Sequence, residues 1–206
     1  MNTRVLKRFV IYMAILTFVM FTVWALIRSF MNRPPGDYET EVCDIRLKDQ
    51  LFDKAIQAAN KALEKSPNHR GAIMCKALVF ISQKMYTEAN QELDYLINYL
   101  ETTVKDDDRT GIGTLAAAYA NRGIIKDRNK NYQGALQDYL KALGIDHEAV
   151  AGPGLGTVIL NYKYKSSSVR ERALYLNDQL QLPEDQRVLS IQKLDEGQVM
   201  HKPGKL

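Results

Sequence analysis

Three segments of this chain fall into one register. In each, an aromatic residue precedes an alanine by three: Phe52 and Ala55, Tyr86 and Ala89, Tyr132 and Ala135. Twelve residues before each alanine stands a small side chain (Cys43, Ala77, Gly123), and seven after it stands Ala62, Leu96 or Ala142. The alanines are 34 and then 46 residues apart, which is one period followed by the same period with 12 residues inserted. A fixed period of this length marks a repeat architecture, in which each unit leaves an apolar face that only a neighbouring unit can cover.

The third unit, YANRGIIKDRNKNYQGALQDYLKAL over residues 119–143, resembles the tetratricopeptide repeat. Tyr119, Gly123, Tyr132, Ala135, Tyr139 and Ala142 fall where that family's pattern places them. The first unit departs from it, with Glu39 in place of the usual aromatic residue and Arg46 in place of the usual tyrosine. The resemblance covers roughly residues 37–180. It implies an all-α fold, a TPR-like right-handed α-solenoid of three to four helical hairpins. The repeats are expected at about 38–67, 70–104 and 114–147, with a degenerate fourth at 155–182, a capping helix at 183–194 and a tail at 196–206. Packing agrees with this pattern: small residues at 43/55, 77/89 and 123/135 allow the two helices of a hairpin to approach closely, and Pro67-Asn68 stops a helix and turns the chain. The alternative is a bundle of unrelated amphipathic helices. The insertion, Glu101 to Gly113, with Lys105-Asp106-Asp107-Asp108 and two glycines, reads as a solvated loop after an extended helix.

Before the repeats lies FVIYMAILTFVMFTVWALI, 19 residues from Phe9 to Ile27 without a charge. At 1.5 Å per residue such a helix covers roughly 28 Å, close to the ~30 Å hydrocarbon thickness of a bilayer. Tyr12 and Trp24 sit near its ends, where amphipathic rings prefer the interface, and Arg8 and Arg28 bracket it. A single transmembrane helix over residues 9–28 is therefore expected to contact the lipid bilayer, with a basic tail at 1–8 before it and a linker at 29–37 containing Pro34-Pro35-Gly36. A cleaved signal peptide is the competing reading. The apolar run is longer than such peptides use, and no A-x-A pattern follows it. Arg4, Lys7 and Arg8 favour an N-terminus in the cytoplasm. In a bacterium the repeats would then lie in the periplasm, held at the inner membrane.

The net charge of +4 has a local origin. Residues 1–36 carry five basic groups and no acid, which leaves 23 basic and 24 acidic groups beyond them. The repeat region therefore lacks the basic footprint of nucleic-acid binding. The chain contains no G-x-x-x-x-G-K-[ST], no G-x-S-x-G and no H-E-x-x-H. The histidines His69, His147 and His201 lie in turns or the tail without a spaced partner, and read as solvated. No catalytic residue, metal site, cofactor or small-molecule substrate is expected. Cys43 and Cys75 fall on the first helices of adjacent units. Two small buried thiols are the expectation there, with a disulfide as the alternative in an oxidising compartment.

The resemblance also implies a concave groove lined by the first helix of each hairpin. Carried onto this chain, its residues are Thr40, Asp44, Leu47 and Lys48, then Met74, Leu78 and Ile81, then Ala120, Asn121, Ile124, Asp127 and Arg128. Its apolar middle suits a partner peptide or amphipathic helix. The alternative is that the chain's own C-terminal part packs on these residues. The expected function is a membrane-anchored protein-interaction module, a scaffold or assembly factor. The alternative is an accessory structural subunit of an integral membrane complex.

Overall fold

The computed structural model describes residues 3–31, 33–148, 150, 168–191 and 198. These residues form helices α1 (Thr3–Met31), α2 (Asp37–Lys48), α3 (Phe52–Lys65), α4 (Arg70–Ser82), α5 (Tyr86–Thr103), α6 (Arg109–Arg128), α7 (Tyr132–Ile145) and α8 (Val169–Gln181), followed by a 3₁₀ turn at Glu184–Gln186. No strand occurs among the described residues. The fold is all-helical and TPR-like. α2 packs on α3, α4 on α5 and α6 on α7 as hairpins, and α3–α4, α5–α6, α2–α4 and α4–α6 contacts stack those hairpins. α8 packs on α7. The expected first helix of a fourth hairpin, the AGPGLG break before it and most of the expected tail lie outside the described residues.

The small side chains occupy the places where the helices touch. Cys43, Ala55, Ala77, Ala89 and Ala135 are completely inaccessible. At Gly123 even one more carbon is too many: a Cβ there would lie 2.6 Å from Cε1 and 2.7 Å from Cδ1 of the buried Tyr139 ring. The main core fills the second and third hairpins with Ile73, Met74, Leu78, Leu93, Leu96, Ile97, Ile124 and Tyr139 among others. A smaller one joins the first hairpin to the second through Cys43, Ala58, Ala59, Cys75 and Val79.

Each hairpin turns in the same way. Gln50, Lys84 and Lys130 hold left-handed backbone at φ of 58°, 61° and 62°. Around Lys84, the Met85 N–H donates to the Phe80 carbonyl at 2.9 Å and the Lys84 N–H to the Ile81 carbonyl at 3.1 Å. The same two bonds recur around Gln50 and Lys130. This is the Schellman arrangement, which satisfies the last carbonyls of the outgoing helix and usually places glycine at the left-handed position. Before α2, Pro35 and Gly36 form the centre of another turn. Gly36 stands at φ 93°, the Asp37 N–H reaches the Pro34 carbonyl at 3.2 Å, and Gly36 is buried.

Four expectations change here. First, the insertion is not a solvated loop. α5 has 18 residues against 14 in α3, α6 has 20 against 13 in α4, and the linker between hairpins is one residue longer, which together account for all 12 inserted residues. Second, Cys43 and Cys75 are joined in a disulfide, with their Cα atoms 6.5 Å apart. The small positions that bring α2 and α4 together also bring the two sulfurs together. Closing a loop of this length restricts the unfolded chain by about 3.5–4 kcal/mol in the chain-entropy account. Third, of the helix expected from Pro183 to Leu194, only the 3₁₀ turn is helical among the described residues. Residues 187–191 are non-helical, and α8 side chains take up their backbone groups: Tyr175 Oη donates to the Val188 carbonyl at 2.5 Å, and Gln179 Oε1 accepts from the Val188 N–H at 2.7 Å. Fourth, His69 is not a solvated turn residue. Its Nδ1 accepts from the Ala72 N–H at 3.2 Å, capping α4.

α1 stands apart in character. Thr3–Arg28 has mean hydropathy 2.4 and none of it is buried. That length and composition suffice to cross a membrane, and an N-terminal signal sequence meets the same test.

The three left-handed positions generate a stability prediction. An L-residue in this conformation costs about 1–2 kcal/mol, part of which glycine returns as unfolded-state entropy. Lys84→Gly combined with Lys130→Gly should therefore stabilise the protein by roughly 0.5–1 kcal/mol per site. The check is the thermal midpoint of the full chain in mild detergent by far-ultraviolet circular dichroism; a lower midpoint in the double variant contradicts the turn geometry.

Candidate functional site

The insertion has a structural product. Set against α3, α5 gains Leu100 to Thr103 at its C-terminal end; set against α4, α6 gains Arg109 to Leu115 at its N-terminal end. These added turns form one wall of an open groove of about 690 Å³. Tyr99, Leu100, Thr103, Val104, Asp108, Thr110 and Thr114 line that side. Pro34 and α2 form the other wall with Asp37, Thr40, Glu41 and Asp44, and the start of α4 forms the floor with Asn68, His69, Arg70 and Gly71. Gly71 permits the close approach of floor and wall, since a Cβ there would lie 3.1 Å from Thr40 Cγ2.

Polar contacts fix the groove's shape. His69 Nε2 lies 2.9 Å from Asp37 Oδ1, and its Nδ1 lies 3.3 Å from Thr40 Oγ1. With Nδ1 accepting from Ala72, the proton on Nε2 is the one that faces Asp37. Thr40 Oγ1 donates to the Gly36 carbonyl at 2.9 Å, which ties the wall to the turn before it. Asp108 joins the floor to the far wall. Its Oδ1 accepts from the Gly111 N–H at 2.8 Å as the cap of α6, and its Oδ2 accepts from Arg70 Nη1 at 2.5 Å. The Arg70 guanidinium, and next the Gly111 N–H, hold the Asp108 carboxyl below its ordinary value of 3.8, against the opposing effect of burial.

The expected groove residues divide sharply. Thr40 and Asp44 line the groove. Leu47 is partly buried against both cores, and Lys48 is exposed on α2. Met74, Leu78, Ile81, Ala120, Asn121 and Ile124 are buried in the second and third hairpins, none more than 4% accessible. A partner cannot reach them in this structure. The reason is the direct packing of α4 on α6, at which Asn121 Nδ2 donates to Met74 Sδ at 3.5 Å. Asp127 is buried as well, and internal groups surround it. Arg172 donates to both its oxygens at 2.7 Å, Tyr139 Oη donates at 3.1 Å and Gln198 Nε2 at 2.9 Å. Arg128 is half-buried at the end of α6. The C-terminal part therefore packs on the third hairpin, which is the self-filling alternative at that end. Burial, and then the nearby Asp127 carboxylate, raise the Tyr139 hydroxyl well above its ordinary range.

Sequence reasoning missed Asp37, Glu41, His69, Arg70, Tyr99, Val104 and Asp108. Two signals for them were present. Asp37, Glu41 and Asp44 are spaced to share one face of a helix, and Asp108 precedes an N–H donor by three, as a cap does. Among the described residues no group of three His, Cys, Asp or Glu side chains is arranged to hold a metal ion.

No protein-family model and no curated protein matches this chain. Among solved structures it is similar to the Arabidopsis OM64 TPR domain, with 17% identity over 55% of this chain and 84% of that one, at a TM-score of 0.45. The fold described above stands on the chain's own helices.

The Asp108 contacts set a pH-dependent prediction. A carboxylate whose folded pKa is depressed stabilises the fold above its unfolded pKa, and that stabilisation fades as pH falls through the folded value. Asp108→Ala should therefore cost about 1–2 kcal/mol near pH 7, the usual cost of a lost cap. Its deficit against the parent should shrink below about pH 4. Urea denaturation at both pH values measures this, and an undiminished deficit in acid would place the effect elsewhere than in the ionised carboxylate.

Proposed function

We propose that this protein is a membrane-tethered interaction module, a scaffold or assembly factor that receives a polypeptide segment in the groove between α2 and the extended ends of α5 and α6. The groove is the observation that carries the reading. It is open, it is walled by helices from all three hairpins, and its far wall exists only because the repeat period is broken by residues that extend helices. Rigid helical walls offer a preorganised surface, which lowers the entropy lost on binding.

Tethering follows from α1. Lipid is the solvent that suits an apolar helix of which Thr3–Arg28 is unburied. Attachment to one membrane confines the module near partners in that membrane, so a modest groove affinity is enough for occupancy. The disulfide bears on sidedness. Such bonds persist in oxidising compartments and are rare in the cytosol. Together with Arg4, Lys7 and Arg8 before the span, Cys43–Cys75 supports a cytoplasmic N-terminus and a repeat domain on the far side, which in a bacterium is the periplasm.

Site-specific photo-crosslinking tests the groove. A benzophenone amino acid at Glu41 or Thr110, both on the groove, should give light-dependent adducts with another polypeptide in native membranes. The same group at Glu64, exposed on α3, should give none. Adducts of equal yield at all three positions, or at Glu64 alone, reject the groove.

Sidedness has its own test. In cells quenched and denatured in acid to stop thiol exchange, the untreated protein should take up no maleimide-polymer, and protein that is first reduced and then freed of reductant should take up two. Free thiols in the untreated protein would contradict an oxidising location.

A further inference from the structure

The groove has an uneven charge. Four carboxylates line it, Asp37, Glu41, Asp44 and Asp108, against one arginine, Arg70, and one histidine. Beyond residue 36 the chain as a whole carries 23 basic and 24 acidic groups. Its small negative excess is thus concentrated in one concavity, and the rest of the domain is close to balanced or slightly basic. A concave surface lined by one sign of charge focuses such a field.

The geometry shows how a cation meets it. Asp37, Glu41 and Asp44 lie four and then three residues apart on α2, so they form a single stripe along one wall. Opposite stand Tyr99 and Val104, half-buried above the buried Leu100, an apolar strip suited to the methylene stem of a long basic side chain. The chain itself marks a seat for such a head group. Arg33, just before the turn into α2, reaches Glu41 at 3.1 Å, and both side chains remain about 40% accessible. An ion pair that exposed is weak and readily exchanged.

We infer that the groove selects an extended polypeptide segment bearing a lysine or arginine, whose stem lies along Tyr99–Val104 and whose cationic head replaces Arg33 on the α2 stripe. This rests on the reading that the groove receives a polypeptide, and adds the chemistry it prefers. Acidic segments meet like charge on the α2 stripe, and neutral ones offer no cation to exchange for Arg33, so specificity arises from repulsion as well as attraction.

The test uses the full chain in detergent micelles, applied to an array of unbiased twelve-residue peptides. Bound peptides should be enriched in lysine and arginine, and depleted in aspartate and glutamate, by about threefold over the array average, and the preference should fall with added salt. Glu41→Lys with Asp44→Lys should invert it, and Glu41→Gln with Asp44→Asn should abolish it, in variants whose circular dichroism matches the parent. Asp53→Lys with Glu64→Lys, the same charge change on the exposed face of α3, should leave it unchanged. Peptides bound with no charge preference overturn this inference and leave the interaction module standing. A preference lost equally in the α3 variant overturns it too, because net charge and not the groove then decides. No peptide bound above background, or groove positions occupied by a second copy of this chain, overturns both.

Discussion

Two helices approach only as closely as the side chains between them permit, and in this protein that distance is set by six small residues. Cys43 faces the region of Ala55, Ala77 that of Ala89, and Gly123 that of Ala135, one pair to each hairpin. Where Gly123 meets the Tyr139 ring there is no room for a methyl group. Once the hairpins close, each leaves an apolar face uncovered, and stacking is the only way to bury it. The aromatic residues one turn before Ala89 and Ala135 then pack at the edge of the shared core. The identical Schellman turns at Gln50, Lys84 and Lys130 show that the repeat extends to backbone geometry that no side chain enforces.

This regularity made much of the fold legible in the sequence. The spacing of Ala55, Ala89 and Ala135 located three hairpins, and an uncharged run marked α1. What was not legible has physical causes. An insertion's length does not say whether added residues lengthen a helix or loop out, and Gly111 and Gly113, poor helix formers at a cost of about 1 kcal/mol each, argued for a loop. Both are buried in α6, with Gly111 held beside Asp108 at the cap. The cysteines satisfied two demands at once, smallness and proximity, and spacing alone cannot separate them. For the groove, the register picks out one face of each first helix but not what stands before it. Met74 and Ile124 point toward a neighbour and not toward solvent, because α4 and α6 pack directly on each other. His69 could not be told from a solvated histidine without knowing that the Ala72 N–H, at the start of α4, lies against its ring nitrogen.

The C-terminal part illustrates a different way to finish a stack. A buried ion pair, Arg172 on Asp127, fastens α8 to the third hairpin, and Tyr139, Gln198 and the Leu189 carbonyl complete the shell around it. Buried pairs of this kind add little net stability over an apolar contact, yet leaving one partner unpaired costs about 3–5 kcal/mol. The arrangement therefore specifies where α8 sits more than it strengthens the fold. Arg122 does the same between α5, α6 and α7 by bridging Asp94 and Asp138.

The path from α1 to the repeats is short, and it enters through Gly36, which a Cβ would wedge against the Ala62 carbonyl and His69. α2 follows at once, and Cys43 fastens α2 to Cys75 in the next hairpin. A pull on the chain from the side of α1 thus crosses from α2 to α4 through a covalent bond. The first hairpin does not peel from the stack under such a pull; the strain spreads into the middle of the domain, beneath the floor of the groove.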